Sequence, residues 1–382
     1  MNSTPLLDTM KRVLAEGKLY GDRTGKGRNR VFGAFERYNL RGNTLPADTT
    51  TKLFLKTLTK EILGMIKGSN SIDDLGVAFW EKWAPSEKDV KKRADEETES
   101  FRKSCPPDTP DLDKKIEEYR EGFFKHYERY IGTIGPMYGV LWRNFPRLAR
   151  TPMHWVERFE DIPSDKVAKY REQFMAQLLV TQQPELNTKE NFELYCLGAF
   201  SQTFDQLAKV VKDLKQDPYS SRHRVTAFHP DLIGPTNVSS KDNVLHGFAA
   251  LAPCHTFFQF MVTDNDHGQR ELNCMLYMSS SDVMIGRAYN ICQYSMMTII
   301  LAHCLGFEPG EFILASCDTH IYNNHLKTPE KEGAEDQVLR QPLDYPTLVL
   351  NPAKRDFFDF NLEDIQIHDY VHHPKINYEV AV

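Results

Sequence analysis

Three short stretches carry the side chains able to do covalent and proton chemistry. Pro253-Cys254-His255 sets a thiol just after a proline and just before the alternating aromatic run Thr256-Phe257-Phe258-Gln259-Phe260. That pattern reads as the mouth of a strand, where the backbone is fixed and the thiol can point into a cleft. Alone, a cysteine is more often a small buried hydrophobe. The odds change with a second stretch, Cys274-Met275-Leu276-Tyr277-Met278-Ser279-Ser280-Ser281-Asp282 followed by Gly286, Tyr289 and Asn290, and a third, Asp318-Thr319-His320-Ile321-Tyr322-Asn323-Asn324-His325.

Elements that would position these residues can be read from periodicity. Leu6, Leu7, Met10, Val13 and Leu14 recur at helical spacing over residues 4–17, which predicts a short amphipathic helix. Asp22-Arg23-Thr24-Gly25-Lys26-Gly27 predicts a Gly-rich turn, and residues 52–67 a helix that stops at Gly68 and contains Glu61 among Leu58, Ile62 and Leu63. Trp80 and Trp83 are three apart and can share one face. Arg287 to Leu305 reads as a buried helix ended by Gly306. Residues 85–130 are dense in charge and broken by Cys105-Pro106-Pro107, predicting two exposed helices around a break. A second enlarged region, 144–190, carries Trp155 and Phe159.

Composition narrows the class. With 41% hydrophobic and 26% charged residues the chain is ordinary for a globular protein. A net charge of -6 gives no electrostatic argument for nucleic acid. Seven scattered cysteines without a Cys-x-x-Cys pair argue against a disulfide framework or a metal site and for a reducing compartment. With neither a secretion signal nor an apolar run long enough for a membrane span, a cytoplasmic location is expected, the host's if the source is viral.

The order Pro-Cys-His, Ser-x-Asp-x-x-x-Gly-x-x-x-Asn, Asp-x-His-x-Tyr-x-x-His, with Gly135-Pro136-Met137-Tyr138-Gly139 and Trp142-Arg143 upstream, resembles the thymidylate synthase family, which includes the phage pyrimidine hydroxymethylases. The resemblance covers most of the chain outside the two inserted segments. It implies one α+β domain over residues 1–382, a large mixed bent sheet flanked by helices, and a homodimer packed sheet to sheet. It also implies a one-carbon transfer from 5,10-methylenetetrahydrofolate to carbon-5 of dUMP. Cys254 would be the nucleophile, with Glu61, Tyr138, His255 and Asn290 as the other catalytic residues. Arg23, Ser280, His320, Tyr322 and Asn290 would bind nucleotide, with Arg222 reaching the phosphate of the neighbouring subunit. Trp80, Trp83, Asp282, Gly286, Tyr289 and the carboxyl-terminal Val382 would border the folate.

The chemistry explains the residue types. Attack by a thiolate at carbon-6 turns a pyrimidine into an enolate whose carbon-5 can take a one-carbon unit. An asparagine amide matches the 4-carbonyl and 3-NH of uracil. Hydride transfer then gives a methyl group, whereas water gives hydroxymethyl; Trp80 and the tail ending Ala381-Val382 point to a dry site and to methyl. Departures from the family pattern are plain: Gly64 in place of a tryptophan, Ala288-Tyr289 in place of Pro-Phe, Met278 as in the phage pattern, and Ser279 and Ser221 in place of two phosphate arginines. Arg224 and Arg287 are the sequence candidates to replace them. A catalytically inactive binding protein is the alternative of another class.

Overall fold

The computed structural model describes residues 3–22, 24–106, 108–147, 159–181, 183–197 and 202–381. Arg23, Trp155 and Val382 lie outside the described residues. The chain divides into two compact units, residues 1–143 with 206–382, and residues 144–205.

The larger unit is built on a six-stranded mixed sheet. Its strands lie in the order Lys18–Tyr20, Arg28–Asn39, Glu308–Tyr322, Arg270–Asp282, His255–Asp264, Arg224–Thr226. The two long central strands run parallel and every other pair is antiparallel. A parallel pair needs a crossover, and helix Gly286–Leu305 supplies it. That helix is buried on nearly all sides from Arg287 to Ala302, as its lack of a polar stripe requires. Gly306, at φ 71°, ends it in the left-handed conformation that glycine tolerates.

Helix Pro5–Glu16 buries Leu6, Leu7, Met10 and Val13, the residues whose spacing predicted it. Thr4 caps it by accepting the Leu7 N–H, and Pro5 opens it where an N–H is not needed. Helix Leu55–Lys67 starts three residues later than the sequence suggests, after an extended Lys52–Phe54 segment, and stops at Gly68. Gly64 faces the short helix Ile72–Leu75, where an added Cβ would lie 3.1 Å from a Leu75 methyl and 3.3 Å from the Asp74 carbonyl. That close packing explains why a large residue is missing there.

The charged insertion forms helices Glu87–Ser104 and Leu112–Tyr127. Ser86 and Asp89 close a capping box at the first, and Lys241 holds Asp89 from outside at 2.8 Å. Few aliphatic residues join the two helices; instead Phe101 of the first stacks on Tyr119 of the second at 4.3 Å, and Phe123 stacks on Tyr127 within the second helix at the same distance.

The smaller unit has its own core of Ile162, Phe174, Leu178, Phe192, Tyr195 and Cys196. Helices Ser164–Thr181 and Lys189–Cys196 supply most of it, beside the antiparallel pair Phe145–Arg147 and Gln202–Phe204.

Candidate active site

Helix Leu55–Lys67, the crossover helix and the mouth of strand His255–Asp264 enclose a cavity of about 450 Å³. Glu61, Trp80, Tyr138, Cys254, His255, Tyr289 and Asn290 all line it. At its floor Glu61 is 4% exposed. The Trp80 indole N–H donates to its Oε1 at 2.7 Å and the Gln293 amide to its Oε2 at 2.6 Å. Asn290 Nδ2 in turn donates to Gln293 Oε1 at 3.2 Å. Burial pushes the Glu61 carboxyl up to about 7, with the two donors acting the other way. A carboxyl poised there can both give and take a proton at neutral pH.

Cys254 stands one residue before its strand, as its neighbours predicted. Its backbone N–H donates to the Tyr138 hydroxyl at 3.2 Å. The Tyr138 ring lies flat on His255, with centroids 3.7 Å apart and planes 4° from parallel. Tyr138 holds a left-handed φ of 42°, rare for a residue with a side chain. His255 Nδ1 sits 2.7 Å from the Tyr294 hydroxyl, and burial drives its pKa down to about 3, so the ring is neutral. Burial, then the charge of Asp282, pushes the Cys254 thiol up to about 11. Ser279, where the resemblance expects an arginine, donates its hydroxyl to the carbonyls of Pro253 and Cys254 at 3.1 and 3.3 Å. It fixes the loop, and among the described residues no cation offsets the effect of burial on the thiol.

The other described residues expected at the site do not line the cavity themselves. Trp83 packs on Trp80 with ring centroids 5.5 Å apart. A Cβ added at Gly286 would meet the Asn290 Oδ1 at 4.0 Å, so the glycine flanks that amide. His320 and Tyr322 stack edge to face at 4.9 Å, and Ser280 pairs with Asp318 across the neighbouring strand. Asp282 faces His325 at 3.5 Å, and the opposite His325 nitrogen lies 2.8 Å from the Glu379 carbonyl. Burial opposes charge on that ring, but Asp282 holds its pKa above the ordinary value. Arg222 is exposed before the edge strand Arg224–Thr226, away from the cavity.

Arg287 is a correction. It is fully buried, bonded to Glu36 at 2.9 Å and to the hydroxyls of Ser281 and Ser316 at 3.0 and 2.8 Å. A guanidinium committed in this way is a core ion pair and cannot replace a phosphate clamp. Arg224 sits on the edge strand farthest from strand Arg28–Asn39.

Sequence reasoning missed Gln293, Lys52, Phe54 and Lys375. Gln293 lies one helical turn from Asn290, and that i,i+3 spacing was the available signal. The carboxyl-terminal tail is docked rather than loose. Ile376 donates its N–H to Thr51 Oγ1 at 2.9 Å and Tyr378 its hydroxyl to Gln337 at 2.8 Å, while Lys375, Ile376, Tyr378 and Val380 form one cavity wall.

The family model described as Thymidylate synthase matches residues 4–382. A thymidylate synthase of Francisella philomiragia subsp. philomiragia is 27% identical over 379 residues, covering 98% of each chain. Matched along almost its whole length, and with Cys254, Glu61 and Asn290 gathered in one cavity, the chain belongs to the thymidylate synthase family.

Proposed function

We propose that this protein transfers the one-carbon unit of 5,10-methylenetetrahydrofolate to carbon-5 of dUMP through a transient bond from Cys254, releasing dTMP. The family is one of one-carbon transferases, and its members in general act on dUMP with methylenetetrahydrofolate. The observation that carries the reading is the cavity itself, where the Cys254 thiol, the Asn290 amide and a Glu61 carboxyl titrating near 7 all open into one space.

Each group has a task that its setting suits. Asn290, held by Gln293, presents an amide edge to the pyrimidine. Cys254 is a protonated thiol in the free protein and must lose that proton to attack carbon-6. Glu61 exchanges protons with the ring through its buried carboxyl. Tyr138, anchored over His255 and on the Cys254 amide, has its phenol held protonated by burial and would relay the carbon-5 proton through its hydroxyl rather than act as a free base. The aromatic and aliphatic wall of Phe54, Phe79, Trp80, Tyr289 and Ile376 fits a flat pteridine, and Lys52 and Lys375 offer cations for a glutamate tail. Methylenetetrahydrofolate bound there supplies the carbon and the hydride.

Two observations favour methyl over hydroxymethyl. The docked tail adds apolar surface over the cavity, which excludes water. Met278, the residue shared with the hydroxymethylase pattern, is 1% exposed in the core and does not reach the cavity. A homodimer is supported by the outer face of the sheet, where Phe35, Ala315, Tyr277 and Phe257 form one cross-strand row and Arg37, Ile313, Met275 and Gln259 the next. Phe35 is 61% exposed and Met275 44%, an apolar patch that suits a second copy. The deciding measurement is the mass of the nucleotide product with dihydrofolate followed optically. A methylated product with stoichiometric dihydrofolate is expected; a hydroxymethylated product without it would replace the synthase reading.

A further inference from the structure

Of the phosphate holders that the resemblance implies, Arg23, Ser280 and the Arg222 of a neighbouring subunit keep their residue types, and two arginines are missing. Ser279 and Ser221 are uncharged, Arg287 is sealed in the core, and Arg224 lies on the far edge strand. Strand Arg28–Asn39 brings two other guanidiniums to the right place. Arg28 pairs with Tyr322 and Arg30 with His320 across the sheet. Both reach the same carboxylate, Arg28 at 3.1 Å and Arg30 at 3.4 Å from Asp318. Asp318 is the direct cross-strand neighbour of Ser280, and Ser280 follows the loop-fixing Ser279. The arginines therefore project onto the patch that holds Ser280, His320 and Tyr322, the residues proposed above to bind nucleotide.

The patch has spare hydrogen-bonding capacity. His320 is 2% exposed, with Nδ1 3.4 Å from Asp318 Oδ1, yet among the described residues neither ring nitrogen has a hydrogen-bond partner, nor does the buried Arg28 Nε. Buried polar atoms left open in this way mark a site for a bound group. Arg30 is steadied by the Tyr20 ring 5.0 Å below it. The carboxylates nearby are partly engaged, and Asp22 Oδ2 and Asp318 Oδ1 are buried without a hydrogen-bond partner among the described residues. Asp22 accepts from the Thr24 N–H and hydroxyl, and Asp282 from the Met284 N–H while facing His325. The two guanidiniums share the one carboxylate of Asp318, and Asp22 lies within electrostatic reach of Arg28. Planar guanidiniums also suit phosphate oxygens.

We infer that Arg28 and Arg30 of the same chain, with the Ser280 hydroxyl, hold the nucleotide's phosphate in place of the arginines that Ser279 and Ser221 displace. This assignment rests on the dUMP reading and deepens it. The test is calorimetric titration of the full chain with dUMP and, separately, with deoxyuridine, which lacks the phosphate. In an Arg28→Gln/Arg30→Gln variant, dUMP should bind about 100-fold more weakly, while deoxyuridine binds as it does to the wild type. Arg28→Lys/Arg30→Lys keeps the charge without the fork and should lose about tenfold; it carries the test alone if the glutamine variant does not fold. Unchanged dUMP affinity in these variants overturns the arginine assignment and leaves the synthase reading standing. Equal losses for dUMP and deoxyuridine also overturn it, giving the arginines an architectural role. A wild-type chain that binds no dUMP overturns both readings.

Discussion

The floor of the cavity and the strand end beside it are built on opposite plans. On the floor, both oxygens of Glu61 accept a hydrogen bond and the Gln293 amide is bonded at both ends. At the strand end, His320 and Arg28 keep open nitrogens, and the side chain of Arg30 is 40% exposed. A closed network holds its geometry before anything binds, and an open one is completed by its ligand. Substitutions on the floor should therefore lower kcat, and those at the strand end should raise KM.

The largest effect is expected at Cys254, the proposed nucleophile. Cys254→Ser should cut tritium release from dUMP labelled at carbon-5 by about 10³-fold or more. Release at the wild-type rate would end the covalent reading and favour an inactive, binding protein. Next, Glu61→Gln should lower kcat by about 10²-fold with KM for dUMP nearly constant. It carries a second signature in stability. Burial raises the Glu61 pKa from 4.5 to about 7, so the stability that its protonated form keeps in acid is lost as pH rises through that value. Glutamine has no such loss. Melting temperatures should favour the variant at about pH 8 and converge at about pH 5, and a constant difference would remove Glu61 as the titrating group.

A smaller change sharpens the contrast between the two regions. Gln293→Ala deletes a donor that pulls the Glu61 pKa down, so the limb of the rate profile set by Glu61 should move to higher pH and kcat should fall about tenfold. A fall in rate with the limb unmoved would mean that Gln293 serves only packing. The least effect is expected at the tail. Tyr378→Phe loses one bond to Gln337 and should raise KM for the folate by about fivefold, read in steady-state assays. A drop in kcat of the same size would place the tail on the floor's side of the division.

What was legible in the sequence followed local rules. Leu6, Met10 and Val13 announced a helix by spacing, Gly68 and Gly306 announced two stops, and Cys254 stood out because a proline and an alternating run framed it. What stayed hidden depended on residues far apart in the chain. Gly64 looks like a defect until helix Ile72–Leu75 is seen against it. Arg287 reads as a spare cation because nothing local shows Glu36, 251 positions away, beneath it. Arg28 and Arg30 look like surface charge until the register sets them beside His320 and Tyr322. The exposed helices expected at 85–130 are present, yet nothing local shows that Phe101 and Tyr119 stack to join them.

The backbone at Tyr138 has a stereochemical consequence. A side chain at φ 42° is tolerated at a cost of about 1 kcal/mol, and the flat contact with His255 leaves the phenol no second resting place. With its amide pinned to that phenol, Cys254 in the proposed reaction would meet a planar ring from one side alone. Addition across the ring should then create its new centre with a single handedness.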